Sequence, residues 1–132
     1  MRYLLDTNIV IAAMKGDAKV REKLEHIPLS DLVLSPVVLG ELELGVEKSQ
    51  HKDKNRARLA RIVEGIQNIP LDAETSIHYG RIRGDLERNG TPIGANDYWI
   101  AAQALATGTT LVTHNVGEFS RVDGLKLENW LE

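Results

Sequence analysis

The sequence predicts an α/β domain with a four- to five-stranded, mostly parallel sheet flanked by helices. Three observations predict it. Short apolar runs of strand character recur at 3–5, 32–34 and 109–113. Segments of helical periodicity separate them. The chain of 132 residues also matches the ~100–150 residues of one domain, so residues 1–132 read as a single unit.

Tyr3 to Leu5 form the first strand, ended by Asp6, and TNIVIAAMKGD, closed by Gly16, reads as the first helix. Residues 18–26 carry Val20 and Leu24 four apart, the spacing of a short amphipathic helix. The run at 32–34 stops at Ser35 and Pro36, a capping residue followed by the proline that helices accept at their first position, so a helix is expected over 36–48. Residues 52–67 and 73–89 read as two further helices, with a short strand, NIPL, at 68–71 between them. After GTPIGAN, an alanine-rich helix over 97–107 is stopped by Gly108, and TTLVT forms a β-branched strand at 109–113. A last strand is expected at 125–127.

The 16 Lys and Arg against 19 Asp and Glu leave a formal charge of −3, which argues against capture of a polyanion by the field of the whole molecule. The absence of cysteine excludes disulfides, thiolate metal sites and thiol nucleophiles, and fits a reducing compartment. No run approaches the ~18 apolar residues of a membrane span, and MRYLLDTN turns acidic too soon for a signal peptide. A soluble, cytoplasmic protein with no membrane partner is expected.

In parallel α/β sheets the ligand site lies beyond the carboxyl ends of the strands. The polar residues there are Asp6, Thr7 and Asn8 after the first strand and Thr113, His114 and Asn115 after the fourth. Asp6 can serve as a helix cap or as a metal ligand. Glu41 is more telling. At ~100° per residue it falls among Val37, Val38, Leu39, Leu42, Leu44 and Val46, whereas Glu43 and Glu47 fall on the polar face. A carboxylate aimed into apolar surroundings needs an Arg partner or a cation. Gly45 leaves space beside it. Asp97 shares a helical face with Ile100, Ala101 and Ala104; it can act at the helix N-terminus, or Asn96 can cap in its place. If Asp6, Glu41 and Asp97 converge, they form an all-oxygen ligand set that selects Mg²⁺ or Mn²⁺ and suits phosphoryl chemistry.

Other schemes find less support. There is no GxxxxGK followed by Ser or Thr, no GxGxxG and no GxSxG. His26, His51, His78 and His114 are scattered, and only His114 adjoins the expected site. From Lys48 to Gln67, six basic residues (Lys48, Lys52, Lys54, Arg56, Arg58 and Arg61) face Asp53 and Glu64, either as a solvated helical face or as a track for RNA phosphates.

Taken together, LLDTN at 4–8, SPVVLGELELGVEKS at 35–49, GTPIGANDYWIAAQALATGTTLVTHNVGEF at 90–119 and LKLENW at 125–130 resemble the PIN-domain ribonuclease toxins of the VapC type. The resemblance spans essentially the whole chain. It implies the PIN-like fold, a metal-dependent endoribonuclease, and Asp6, Glu41 and Asp97 as the catalytic and metal-binding acids. It also implies Thr7 and Thr113 as hydroxyls that orient ligands or the attacking water. Asn115 stands where many PIN domains carry Asp, and Glu118, three residues on, is the candidate to compensate. The resemblance further implies a VapB-type antitoxin, a homodimer, a toxin–antitoxin hetero-oligomer that meets operator DNA only through the antitoxin, and an RNA substrate. The anticodon region of initiator tRNA is the first such RNA to test. Two competing readings are a non-catalytic RNA-binding or protein-interaction module on the same fold and an Asp-dependent phosphatase or phosphotransfer domain. The phosphatase pattern wants a second Asp where this chain has Asn8.

Overall fold

The computed structural model describes residues 1–132. Five strands, β1 (Tyr3–Leu5), β2 (Leu32–Leu34), β3 (Gln67–Asn68), β4 (Thr110–Val112) and β5 (Leu127–Glu128), form one sheet in the order β3-β2-β1-β4-β5. Every pairing is parallel. Parallel strands covered on both faces should be continuously apolar, and LVL in β2 and TLV in β4 are buried throughout.

Helices α1 (Thr7–Met14), α2 (Ala18–His26), α3 (Pro36–Lys48), α4 (Lys52–Val63), α5 (Ala73–Arg88), α6 (Ala95–Thr107) and α7 (Val116–Phe119) connect them. Local chemistry sets their starts. Ser35 accepts from the Val37 N–H at 3.1 Å with Pro36 in the first turn, and Asp17 and Asp72 accept from the Val20 and Thr75 N–H groups at 3.0 and 2.9 Å. The buried face of α6, with Tyr98, Ile100, Ala101 and Ala104, packs into the same core as Leu4, Leu5, Val33 and Leu111. Gln103, 1% exposed, donates from Nε2 to the Ile69 carbonyl at 2.6 Å and ties α6 to the end of β3.

Gly108 ends α6 at φ +65°, where any other residue would place Cβ against its own carbonyl. Gly108→Ala should lower stability by about 1–2 kcal/mol. The readout is an earlier urea midpoint with an unchanged slope.

Several boundaries differ from expectation. The helix expected over 52–67 stops at Val63, because Gly65 turns the chain at φ +79°. Pairing of β3 is confined to Gln67 and Asn68 rather than 68–71, since Pro70 has no N–H to continue the ladder. The last strand is Leu127–Glu128 instead of 125–127. Helix α6 begins at Ala95 with Gly94 as its cap, so neither Asn96 nor Asp97 caps it. The four-residue α7 is too short to leave a periodic signal.

The order of strands places the site. From β1 the chain moves outward to β2 and β3, then returns to the other side of β1 as β4. That reversal opens a crevice beyond the carboxyl ends of β1 and β4. Leu5 pairs with Val112, so Asp6 and Thr113 emerge side by side at its floor.

Candidate active site

Asp6 is 4% exposed and does two things at once. Its Oδ1 caps α1 by accepting from the Thr7 N–H at 2.8 Å. Its Oδ2 accepts from the Thr113 hydroxyl at 2.7 Å and from Asn8 Nδ2 at 3.2 Å. Burial pushes this carboxyl above its ordinary value, and the charge of Glu41 adds to the rise; the hydrogen bonds from Thr113, Thr7 and Asn8 pull the other way. The capping reading of Asp6 is realised through Oδ1, while Oδ2 is held among the polar groups at the mouth of the sheet.

Glu41 is half-buried on α3, and its Oε1 accepts from the Thr7 hydroxyl at 2.9 Å. Its partner is thus a neutral hydroxyl, and no salt bridge reaches it. Of the residues expected to surround it, Val38, Leu42 and Val46 are buried, while Leu44 is 55% exposed and lies outside the stripe. Gly45 borders the same open groove as Glu41.

Asp97 sits in the first turn of α6, half-buried, and carries the strongest perturbation. Burial first, then the negative charges of Glu118, Asp6 and Glu41, push its carboxyl up to about 7. A Cβ at Gly94 would lie 3.3 Å from Asp97 Oδ2 and 3.8 Å from Glu118 Oε1. The missing side chain leaves both carboxylates room.

Glu118 belongs to the same group. Its Oε1 accepts from the Gly94 N–H at 2.6 Å and its Oε2 from Asn115 Nδ2 at 2.5 Å. Burial pushes Glu118 up, but these two hydrogen bonds, the proton shared with Asp97 and the charge of Arg121 outweigh it and hold the carboxyl below its ordinary value. Of this pair, Asp97 holds a proton more tightly than Glu118 does. Asn115 therefore orients Glu118 through its amide nitrogen, while its own N–H donates to Thr113 Oγ1 at 3.0 Å.

Asn8 takes part although nothing in the sequence beyond its place after β1 marks it. It donates to Asp6 and accepts from the His114 N–H at 3.0 Å, joining the segments that follow β1 and β4. Its two-residue offset from Asp6 was the available signal. His114 itself is exposed, with its ring Nδ1 3.4 Å from the Asn129 amide.

The basic stretch divides. Arg56 is bound to Glu43 and Glu47 at 2.5 and 2.8 Å, and Lys52 lies 3.8 Å from Glu47. These exposed ion pairs lay both side chains along the polar face of α3, as the solvated-face reading of this stretch has it. Lys48 and Lys54 are exposed, and Arg58 lines the groove that holds Glu41.

The four acids are linked electrostatically, yet no three are gathered closely enough to grip one ion as they stand. Thr7, Thr113 and Asn115 each hold a carboxylate. The donor chemistry still fits a hard divalent cation. It consists of carboxylate oxygens without thiol or paired imidazole, and their mutual repulsion is answered by no ion-paired Lys or Arg.

Comparison with known proteins places the chain in a family. The family model described as PIN domain matches residues 3–125. Ribonuclease VapC2 of Rickettsia felis is 39% identical over 132 residues, covering 98% of both chains. The chain belongs to the VapC family of PIN-domain ribonucleases. Another VapC relative, the tRNA(fMet)-specific endonuclease VapC of Shigella flexneri, is 40% identical with 98% of each chain covered. Among solved structures, VapBC2 from Rickettsia felis bound to a DNA fragment from its promoter superposes with a TM-score of 0.92 at 37% identity, over 98% of this VapC-family chain and 99% of that one. VapBC-1 from nontypeable Haemophilus influenzae gives 0.89 at 34%, with 100% of each chain covered.

Proposed function

We propose that the chain is an Mg²⁺- or Mn²⁺-dependent endoribonuclease toxin that cuts a structured RNA, with the anticodon region of initiator tRNA the first target to test, and that a VapB-type antitoxin restrains it. One observation carries the metal dependence. Four carboxylates close the end of a parallel sheet with no Lys or Arg ion-paired to them, and burial together with the charges of Glu118, Asp6 and Glu41 pushes Asp97 up to about 7. Asp6, Glu41 and Asp97 would hold the ion, with Glu118 in reach of Asp97 as the fourth acid. When bound, a divalent cation supplies charge for the phosphoryl oxygens and lowers the pKa of water.

The side chains have separable tasks in this reading. Asp6, pinned by Thr7 and Thr113, is the most rigid anchor. Glu41, held through a single hydroxyl, has the freedom to accept a proton from the attacking water. Asn115 keeps Glu118 turned toward Asp97. The tRNA reading draws its support from relatives of Shigella flexneri and Salmonella typhimurium named tRNA(fMet)-specific endonucleases.

The antitoxin reading rests on the VapBC complexes among the structural neighbours. The receiving surface in this chain is the groove of about 260 Å³ between α1, α3 and α4, where Ile11, Met14, Leu42 and Val46 lead to Glu41. A C-terminal antitoxin segment lying there would bring a basic side chain to the acids. We assign the toxin a homodimeric state and a hetero-oligomer with its antitoxin, in which the antitoxin contacts operator DNA. No helix is long and apolar enough to cross a membrane.

Purified protein incubated with unfractionated tRNA should cleave it in Mg²⁺ or Mn²⁺ and not in EDTA, and sequencing of the new 5′ ends should return one dominant cut in initiator tRNA. Cleavage that persists in EDTA would overturn the metal dependence, and a dominant cut elsewhere would reassign the target.

A further inference from the structure

Lys15, at the end of α1, Arg21 on α2, and Arg58 and Arg61 on α4 line one open concavity of about 600 Å³. No acidic side chain borders it. The protein's ion pairs all lie elsewhere, within α5 and between α3 and α4. Four cations gathered from three helices without a counter-charge repel one another and give the fold nothing in return. Their arrangement therefore calls for an anion from outside.

Its position says which anion. The concavity shares Met14, Lys15 and Arg58 with the groove that ends at Glu41, so the two are continuous. A chain with phosphates at regular intervals could place one at the acids and its neighbours among the cations. Charge counting along the sequence favours 48–67, but Lys52 and Arg56 of that stretch are consumed by α3, and the free cations are joined by two residues from α1 and α2. We propose that Lys15, Arg21, Arg58 and Arg61 form a seat for the RNA phosphates that flank the bond to be cut. The inference rests on the nuclease reading for the identity of the polyanion.

The test is fluorescence anisotropy of labelled unfractionated tRNA with the full chain, in EDTA, across a salt titration. Arg21 and Arg61 are exposed and bound to nothing in the protein, so Arg21→Ala/Arg61→Ala should fold normally. Losing two phosphate contacts should reduce the slope of log affinity against log salt by about 1.4, at ~0.7 per contact for single strands. Arg21→Lys/Arg61→Lys should restore the slope, and Lys52→Ala/Arg56→Ala should leave it near wild type. In Mg²⁺ the double alanine variant should raise KM with little change in kcat. An unchanged slope in a protein that still cleaves tRNA would overturn the seat and spare the nuclease reading. A reduced slope with a wild type that cannot cleave would do the reverse. If the alanine pair weakens binding of poly-glutamate alone, the concavity receives an acidic protein segment and the proposal falls.

Discussion

Asp97→Asn should cut RNA cleavage by about 10²–10⁴-fold and yet yield a protein that withstands heat better than wild type above neutral pH. Both effects follow from one environment. Asp97 is half-buried and faces the charges of Glu118, Asp6 and Glu41, so its ionised form is disfavoured in the folded protein. A carboxyl whose folded pKa lies above its unfolded value holds its proton more tightly when folded. Its favourable contribution is complete below 3.8 and is lost as pH rises through about 7. Asparagine keeps the shape without the charge. The melting temperatures of the two proteins should therefore converge at acid pH and separate as pH rises through neutrality. Millimolar Mg²⁺ should close the gap by stabilising wild type selectively. Equal melting curves at alkaline pH without metal would show that Asp97 is not strained, and full cleavage by the variant would remove it from the site.

Strands β1, β2 and β4 and the start of α3 were legible because their signals are local: short apolar runs, and Ser35 followed by Pro36. Glu41 was legible as a carboxylate that violates its helical pattern, although Leu44 turned out to face solvent. Where the reading slipped, a tertiary contact or a backbone angle decided the matter. Gly65 and Pro70 shortened α4 and β3. Arg56 looked free in the sequence because Glu43 and Glu47 sit on another helix, and only the packing of α4 against α3 brings them together. Asn115 and Glu118, three residues apart, were legible as a pair, but not that the amide nitrogen of one would hold the carboxylate of the other.

Thr113 tests whether the acids are positioned or merely present. Fully buried, it donates to Asp6 Oδ2 at 2.7 Å and accepts from the Asn115 N–H at 3.0 Å, so one hydroxyl links Asp6 to the turn that orients Glu118. Thr113→Val keeps the volume and deletes both bonds. The cost should be about 1–3 kcal/mol, because a buried carboxylate oxygen and a part-buried N–H each lose a partner. The loss should be larger at alkaline than at acid pH. Burial and Glu41 already push Asp6 up, and the Thr113 hydroxyl is the strongest of the hydrogen bonds that restrain it. Without that bond the ionised form is costlier still, and the acid limb of the activity profile should move to higher pH. The Mg²⁺ concentration for half-maximal cleavage should rise about 10–100-fold, the usual consequence of losing a residue that orients a ligand. Thr113→Ser, which restores the hydroxyl, should recover the pH profile and the metal requirement even if the missing methyl leaves it less stable. A valine variant with the wild-type profile would mean that the Thr7 N–H and Asn8 suffice to aim Asp6, and that the link from β4 serves stability alone.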